Sequence, residues 1–329
     1  MSNIVFFVDT KYSNYFVASR AIKQYAIDHI ADHSTINSTF VGDIIFVKSN
    51  LIGLTNGIID DFVSKKAKQE ALVGVLNAEI CMIRINTDIL NASPPYLDIF
   101  DNAANSNWPS YDLNLYNLKL LNNIASIMLF EQEVQNKLRK NAIEREVLLQ
   151  DPVTTYLAFD TQFGNNVLIE PNVYFASGVK IHDDVHIRAF SYLENAEIAQ
   201  GAHIGPFARI RGNSKIGKHA RIGNFVEIKN SILDSVKVSH LSYIGDAVVG
   251  KNVNIGAGVI TCNYDGFEKH TTIIKEDTFI GSNSTLIAPI TIGSNSLIGA
   301  ASFINRDVPD KTFAIGRSTQ SMKPNRRNK

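Results

Sequence analysis

The residues of this chain best suited to chemistry gather where a strict spacing fails. Between Ser231 and Ser242 an otherwise regular apolar repeat slips, and His240 stands in the slip. Between Thr261 and Thr272 the stretch Thr-Cys-Asn-Tyr-Asp-Gly-Phe-Glu-Lys-His-Thr-Thr is too long and too polar for one repeat, which predicts a loop thrown out from a corner. Imidazole is the side chain whose proton affinity lies nearest neutrality, although a lone histidine is by default a satisfied structural one. Taken alone, a nearby Arg211 or Lys229 is a surface cation, and an Asn at a corner is a turn former.

The repeat has to position these groups. Phe163, Ile169, Phe175, Ile181, Ile187 and Leu193 recur every six residues; after a one-residue slip Ile198, Ile204, Ile210, Ile216, Ile222 and Ile228 do so again. Ile244, Val249 and Ile255 continue with a shortened step, and Ile280, Leu286, Ile292, Ile298 and Ile304 carry the phase to the end. Two residues before most anchors stands a small or Val-like residue, such as Val167, Val173, Ala202, Ala220 or Ser284. A period of six is neither strand nor helix. It is a short flat strand plus a corner, three of which close a triangular coil whose anchors stack on those of its neighbours. Nine Ile-Gly or Val-Gly pairs, from Ile204-Gly205 to Ile298-Gly299, place a residue without a Cβ at the bend. The expectation is a parallel β-helix of about eight coils, mainly β overall, with chemistry confined to the interruptions. Its winding sense cannot be read from the period.

Ahead of it, Ile4 to Val8, Ile44 to Val47 and Ile80 to Ile85 read as strands, and Tyr15 to Ala31 and Ile58 to Leu76 as helices. That is a small α/β domain over 1–112 in which parallel strands are expected, ending in the Asn, Ser and Pro cluster of 91–112. Residues 113–150 read as a connecting helix stopped by Asp151-Pro152, residues 151–310 as the β-helix, and 311–329 as a basic tail carrying Lys323, Arg326, Arg327 and Lys329. The 32 basic and 32 acidic residues cancel, so the overall field does not favour nucleic acid or a membrane surface. With no run of some 18 apolar residues and two distant cysteines, Cys81 and Cys262, the expectation is a cytoplasmic protein without a disulfide framework.

Gly-Asn-Phe-Val-Glu-Ile-Lys (223–229), His-Leu-Ser-Tyr-Ile-Gly-Asp (240–246), Asn-Ile-Gly-Ala-Gly (254–258) and Thr-Cys-Asn-Tyr-Asp-Gly (261–266) carry a dense resemblance. It continues through Gly281-Ser282, Ala288-Pro289, Arg306-Asp307-Val308 and Arg317. Over roughly 151–325 the chain resembles the acetyltransferase half of the bacterial bifunctional N-acetylglucosamine-1-phosphate uridyltransferase/glucosamine-1-phosphate N-acetyltransferase, a hexapeptide-repeat acyltransferase. The resemblance implies a left-handed β-helix, an exception to the right-handed crossover rule. It implies a homotrimer with sites between chains, acetyl-CoA as donor, glucosamine 1-phosphate as acceptor and no metal, in the supply of UDP-N-acetylglucosamine for peptidoglycan or lipopolysaccharide.

Residue by residue, His240 then matches the general base. Arg211, Lys229 and Lys269 match sugar-phosphate binders, where charge-assisted donors are needed. Tyr243, Asn254, Asn263 and Tyr264 match residues around the sugar and its amine, and Ala257, Ser282, Ala300 and Arg317 match the acetyl-CoA site.

Three departures stand beside the resemblance. The Lys229-to-His240 spacing is one residue shorter than the family's, predicting a tightened coil, and the β-helix before Arg211 is shorter by about two coils. Residues 1–110 hold no glycine cluster of the kind that cradles a nucleoside triphosphate, and Asp9 and Lys11 after the first strand read as a polar cap. The competing readings are another hexapeptide acyltransferase with a different amine, a bifunctional enzyme retaining pyrophosphorylase activity, and a non-catalytic scaffold. A metal-dependent hydratase on the same prism would need three converging histidines, whereas His182 and His186, four apart, do not share a face on hexad coils.

Overall fold

The computed structural model describes residues 118–323 without a break and, ahead of them, separate segments between residues 4 and 115. Asp9, Lys11, most of the expected 15–31 helix, Pro94-Pro95 and the tail residues Arg326, Arg327 and Lys329 lie outside the described residues. The chain divides into two compact units, Met1–Val134 and Gln135–Lys329.

In the first unit the strands Ile4–Val8, Asp43–Lys48 and Glu79–Asn86 form where β-branched and aromatic residues concentrate. The sheet is mixed rather than parallel: Ile4–Val8 runs parallel to Asp43–Lys48, which runs antiparallel to Glu79–Asn86. The expected 58–76 helix is a helix only over Asn56–Ser64, and Ala71–Leu76 is a strand antiparallel to Glu79–Asn86. Its Ala-Leu-Val-Gly-Val-Leu sequence has no polar face, which suits an inner strand flanked on both sides. Where residues 15–31 are described, Phe16–Val17 pairs antiparallel with Arg20–Ala21 instead of entering a helix. The expected 91–112 loop contains a helix, Ile99–Ala104, and a strand, Ser110–Asp112. Ile99, Phe100 and Ala103 have helical spacing that their polar surroundings obscure.

The connecting helix is shorter than expected, Ile124–Glu144. Asn123 caps it, its Oδ1 accepting the Ser126 N–H at 2.8 Å. It ends at Glu146, which sits at φ 64 while Glu146 N–H donates to the Ile143 carbonyl and Val147 N–H to that of Ala142. This is a Schellman stop made without glycine, so Asp151-Pro152 comes too late to end the helix. Asp151 instead caps the turn Pro152–Thr154.

Leu148–Leu149 already belongs to the first coil of the β-helix, pairing with Leu168–Ile169. From there the chain winds through three parallel sheets of ten, nine and eight strands, about nine coils and so one more than the hexads alone predict. The anchors from Ile169 to Ile304 fill the interior, and the small residues two positions earlier fill it beside them. Buried Ser242 and Ser284 satisfy their hydroxyls on backbone carbonyls of the next coil, and Ser214 and Ser302 on carbonyls three residues earlier in their own.

Register measures each coil. Arg209 lies opposite Glu227, eighteen residues on; Glu227 lies opposite Tyr243, only sixteen on. The expected tightening around His240 is therefore present. Ile260 lies opposite Thr285, twenty-five residues on, because the 263–271 segment leaves the prism between Cys262 and Thr272. Corners are turned by one residue at positive φ, usually Asn or Asp. On one edge that residue is Phe190, Phe207 and Phe225, whose rings stack at 4.8 and 4.9 Å.

Candidate active site

Two groups of side chains project from the prism, on neighbouring edges. The first edge joins the face bearing Lys237–Val238 to the face bearing Tyr243–Gly245. His240 stands on it, exposed, between Val238 and Leu241, the latter at φ 61. Gly223 lies beneath, and a Cβ there would come within 3.0 Å of the His240 backbone nitrogen. His182, His186 and His270 each hold a carboxylate, those of Glu197, Glu170 and Asp265. The His240 imidazole has no partner among the described residues.

Coil by coil along the same edge, Ala257 stacks on His240, Ser282 on Ala257 and Ala300 on Ser282. Gly258 N–H donates to the His240 carbonyl, Asn283 N–H to that of Ala257 and Ala301 N–H to that of Ser282. Arg317 closes the column with its Nη1 on the Ala300 carbonyl at 2.8 Å. Gly256 and Gly258 donate their N–H groups to Ile280 and His240; the Ala257 N–H between them has no partner among the described residues. Asn254 faces outward on the adjoining face, opposite Lys237 in register.

The second edge carries the cations. Arg211, Lys229 and Gly245 follow one another in register, and the 263–271 segment leaves from the next coil. Arg211 Nε bonds Glu227 Oε1 at 2.7 Å, and Lys229 Nζ lies 3.5 Å from Asp246 Oδ2. Asp246 also accepts the amides of Asn230 at 2.5 Å and of buried Asn263. Burial works against the Asp246 charge, but those two amides and Lys229 outweigh it and hold the carboxyl below its usual value. Lys229 is held above the ordinary lysine value, chiefly by the hydrogen bond it shares with Lys269 and, against some burial, by Asp246. Lys269 is drawn below that value by the same bond and by the Lys229 charge. Tyr243 reaches this group from its strand: a Cβ on Gly245 would lie 2.4 Å from its hydroxyl.

Tyr264 is the exception among the sequence-derived residues. Its hydroxyl is turned back onto the Gly266 carbonyl at 2.6 Å, inside the loop. Asp265 organises that loop, accepting Glu268 N–H at 2.7 Å, Phe267 N–H at 2.8 Å and the His270 ring at 2.7 Å; these bonds, first that from Glu268, hold its carboxyl far below the usual range. Glu227, Asn230 and Asp246 were not singled out from the sequence, although Glu227 and Asp246 lie inside the 223–229 and 240–246 motifs. Among the described residues no three His, Cys, Asp or Glu side chains converge to hold a metal. No described helix is long and apolar enough to cross a membrane.

The β-helical unit is a left-handed β-helix of hexapeptide repeats, and the six-repeat bacterial transferase hexapeptide model matches residues 160–195 and 271–306. A second model, the GMPPB C-terminal domain, matches 192–265. Within that class the C-terminal region is similar to the bifunctional protein GlmU. It is 46% identical over 213 residues to that of Zymomonas mobilis, spanning 64% of this chain and 47% of the relative. To that of Azorhizobium caulinodans it is 50% identical over 194 residues, spanning 59% and 43%. The chain thus spans about half the length of the curated relatives it matches. Among solved structures, LpxA from Acinetobacter baumannii matches 52% of this chain and 71% of its own, at 19% identity and a TM-score of 0.47.

Proposed function

We propose that the β-helical unit transfers the acetyl group of acetyl-CoA to the amine of glucosamine 1-phosphate, in the cytoplasm, as part of the supply of UDP-N-acetylglucosamine. The observation that carries this reading is the unpartnered His240 imidazole at the head of a column of small residues that ends on Arg317. The pantetheine arm would lie along Ala257, Ser282 and Ala300, with its phosphates toward Arg317. The amine nitrogen attacks the thioester carbonyl, His240 accepts the proton it sheds, and the C–S bond breaks to release the thiolate, which leaves as the thiol once protonated. The free Ala257 N–H is suited to the oxygen on which negative charge develops. Arg211, Lys229 and Lys269 suit the phosphate, while Tyr243, Asn254 and Asn263 suit the sugar.

The edges argue for more than one chain. His240 stands before the Tyr243–Gly245 strand and the cations stand in register with its far end, Gly245, so the two groups project from different edges of the prism. A small sugar phosphate touching both groups is best served when one protomer's first edge meets its neighbour's second edge. Such a contact joins unlike surfaces, and in a triangular prism it closes as a three-membered ring. The decisive assay follows free thiol as acetyl-CoA meets glucosamine 1-phosphate; thiol release no faster than with acetyl-CoA alone would sink the reading.

A further inference from the structure

One cationic cluster serves neither group described above. A groove of about 480 Å³ opens on the face that leads to His240, lined by Arg188, His203, Arg221, Lys237 and His240 over a floor that includes Gly205 and Gly223. His203 lies opposite Arg221 in register and Arg221 opposite Lys237, so successive positive groups stand roughly 4.8 Å apart. Elsewhere on the prism such columns alternate in sign: Lys180 lies opposite Glu197 and Arg209 opposite Glu227. Like charges directly opposite each other destabilise a sheet. Yet the side chains of Arg188, Arg221 and Lys237 have no ion pair or hydrogen bond among the described residues. Both oxygens of Glu170, the carboxylate on the coil below, are taken by His186 and the Ala189 N–H.

We propose that this groove is a phosphate subsite, in which Arg188, Arg221 and Lys237 bind a phosphoryl group of a ligand whose other end reaches His240. A phosphate dianion supplies the counter-charge the column lacks, and arginines engage it bidentately. The His203 environment agrees with this. Burial first, then the neighbouring His186 and the positive Arg188 and Arg221, lower its imidazole below the ordinary value, which a bound anion would reverse. The link to acetyl transfer rests on the function proposed above, whereas anion binding itself stands on the groove alone. The phosphoryl group has two possible sources, and either would displace an assignment made above: the acceptor sugar phosphate from Arg211, Lys229 and Lys269, or the 3′-phosphate of the coenzyme from Arg317.

Inorganic pyrophosphate titrated calorimetrically into the full chain at low salt probes the subsite without turnover. The expected result is binding that weakens about ten-fold or more in Arg221→Ala and by less in Arg221→Lys, which keeps the charge but not the bidentate fork. An NMR titration should show the His203 imidazole taking up its proton at higher pH once pyrophosphate is bound. Arg188, Arg221 and Lys237 face outward, so the interior is untouched by their replacement. A raised KM for glucosamine 1-phosphate in Arg221→Ala assigns the subsite to the acceptor. Weaker binding of coenzyme A, with dephospho-coenzyme A unaffected, assigns it to the donor. Equal pyrophosphate affinity in the parent and in an Arg188→Ala/Arg221→Ala/Lys237→Ala variant overturns the proposal. So does a parent that binds none while the triple variant loses its oligomer, which would give these charges to a neighbouring protomer. If pyrophosphate binds as expected but acetyl transfer is absent, the acetyltransferase reading fails and the subsite stands.

Discussion

His240 and Arg211 should fail differently when replaced. His240→Ala removes the proposed proton acceptor and leaves the cations intact, so turnover at saturating substrates should fall by roughly a hundred-fold or more, with the proposed oligomer unchanged. Arg211→Ala leaves the imidazole and removes a donor that Glu227 holds at 2.7 Å, so its effect should appear mainly as a raised KM for the sugar phosphate. Steady-state kinetics on the two variants separate the roles, and an unimpaired kcat in His240→Ala would overturn the base assignment. His240 could be picked out of the sequence because it breaks a period. The sequence does not show that its ring is unpartnered while His182, His186 and His270 are tied to carboxylates, since those contacts join residues up to sixteen positions apart. Glu227 and Asp246 were passed over for the same reason: a carboxylate opposite a cation on the next coil is visible only once register is fixed.

The 263–271 segment is the element that brings Lys269 to Lys229, and Asp265 is its internal fastening. Asp265→Ala frees the Glu268 and Phe267 N–H groups and the His270 ring, so the loop loses its fixed shape while the coils on either side keep theirs. The KM for the sugar phosphate should rise several-fold with kcat largely retained, and the melting temperature should barely move. The pH dependence follows in sign. Because the Asp265 carboxyl is depressed on folding, its ordering contribution is complete above the ordinary aspartate value, near 3.9, and is lost as pH falls through its depressed value. Amide exchange at Phe267 and Glu268 should therefore stay slow through mildly acid pH and quicken only in strong acid. Elements with a long unbroken period, above all the hexads, were legible in the sequence. Those ended by unusual chemistry were not: the Glu146 stop uses a left-handed glutamate where a glycine is the readable signal, and Ala71–Leu76 is a strand that a helical period ran into.

At the scale of the molecule, the proposed meeting of unlike edges around a three-fold ring has a quantitative consequence. His240→Ala and Arg211→Ala should each be defective, and in a site built from two protomers the two residues lie on opposite sides. Random mixed trimers at equal ratio should recover about a quarter of full sites, and no recovery on co-refolding would place both groups in one chain. The prism's coil lengths carry a further consequence, for how it forms. Parallel sheet ordinarily folds slowly because its partners are remote in the chain. Here each strand meets its partner sixteen to twenty residues on, stretched to twenty-five only where the 263–271 segment intervenes. Those separations are about a tenth of the Gln135–Lys329 unit, the range of helical bundles. A nascent chain can therefore close each turn on the one before it, adding roughly one coil per second or so as it emerges from the ribosome. The twenty-five-residue closure, which must form before Lys269 can reach Lys229, should be the last and slowest step that stopped-flow refolding resolves.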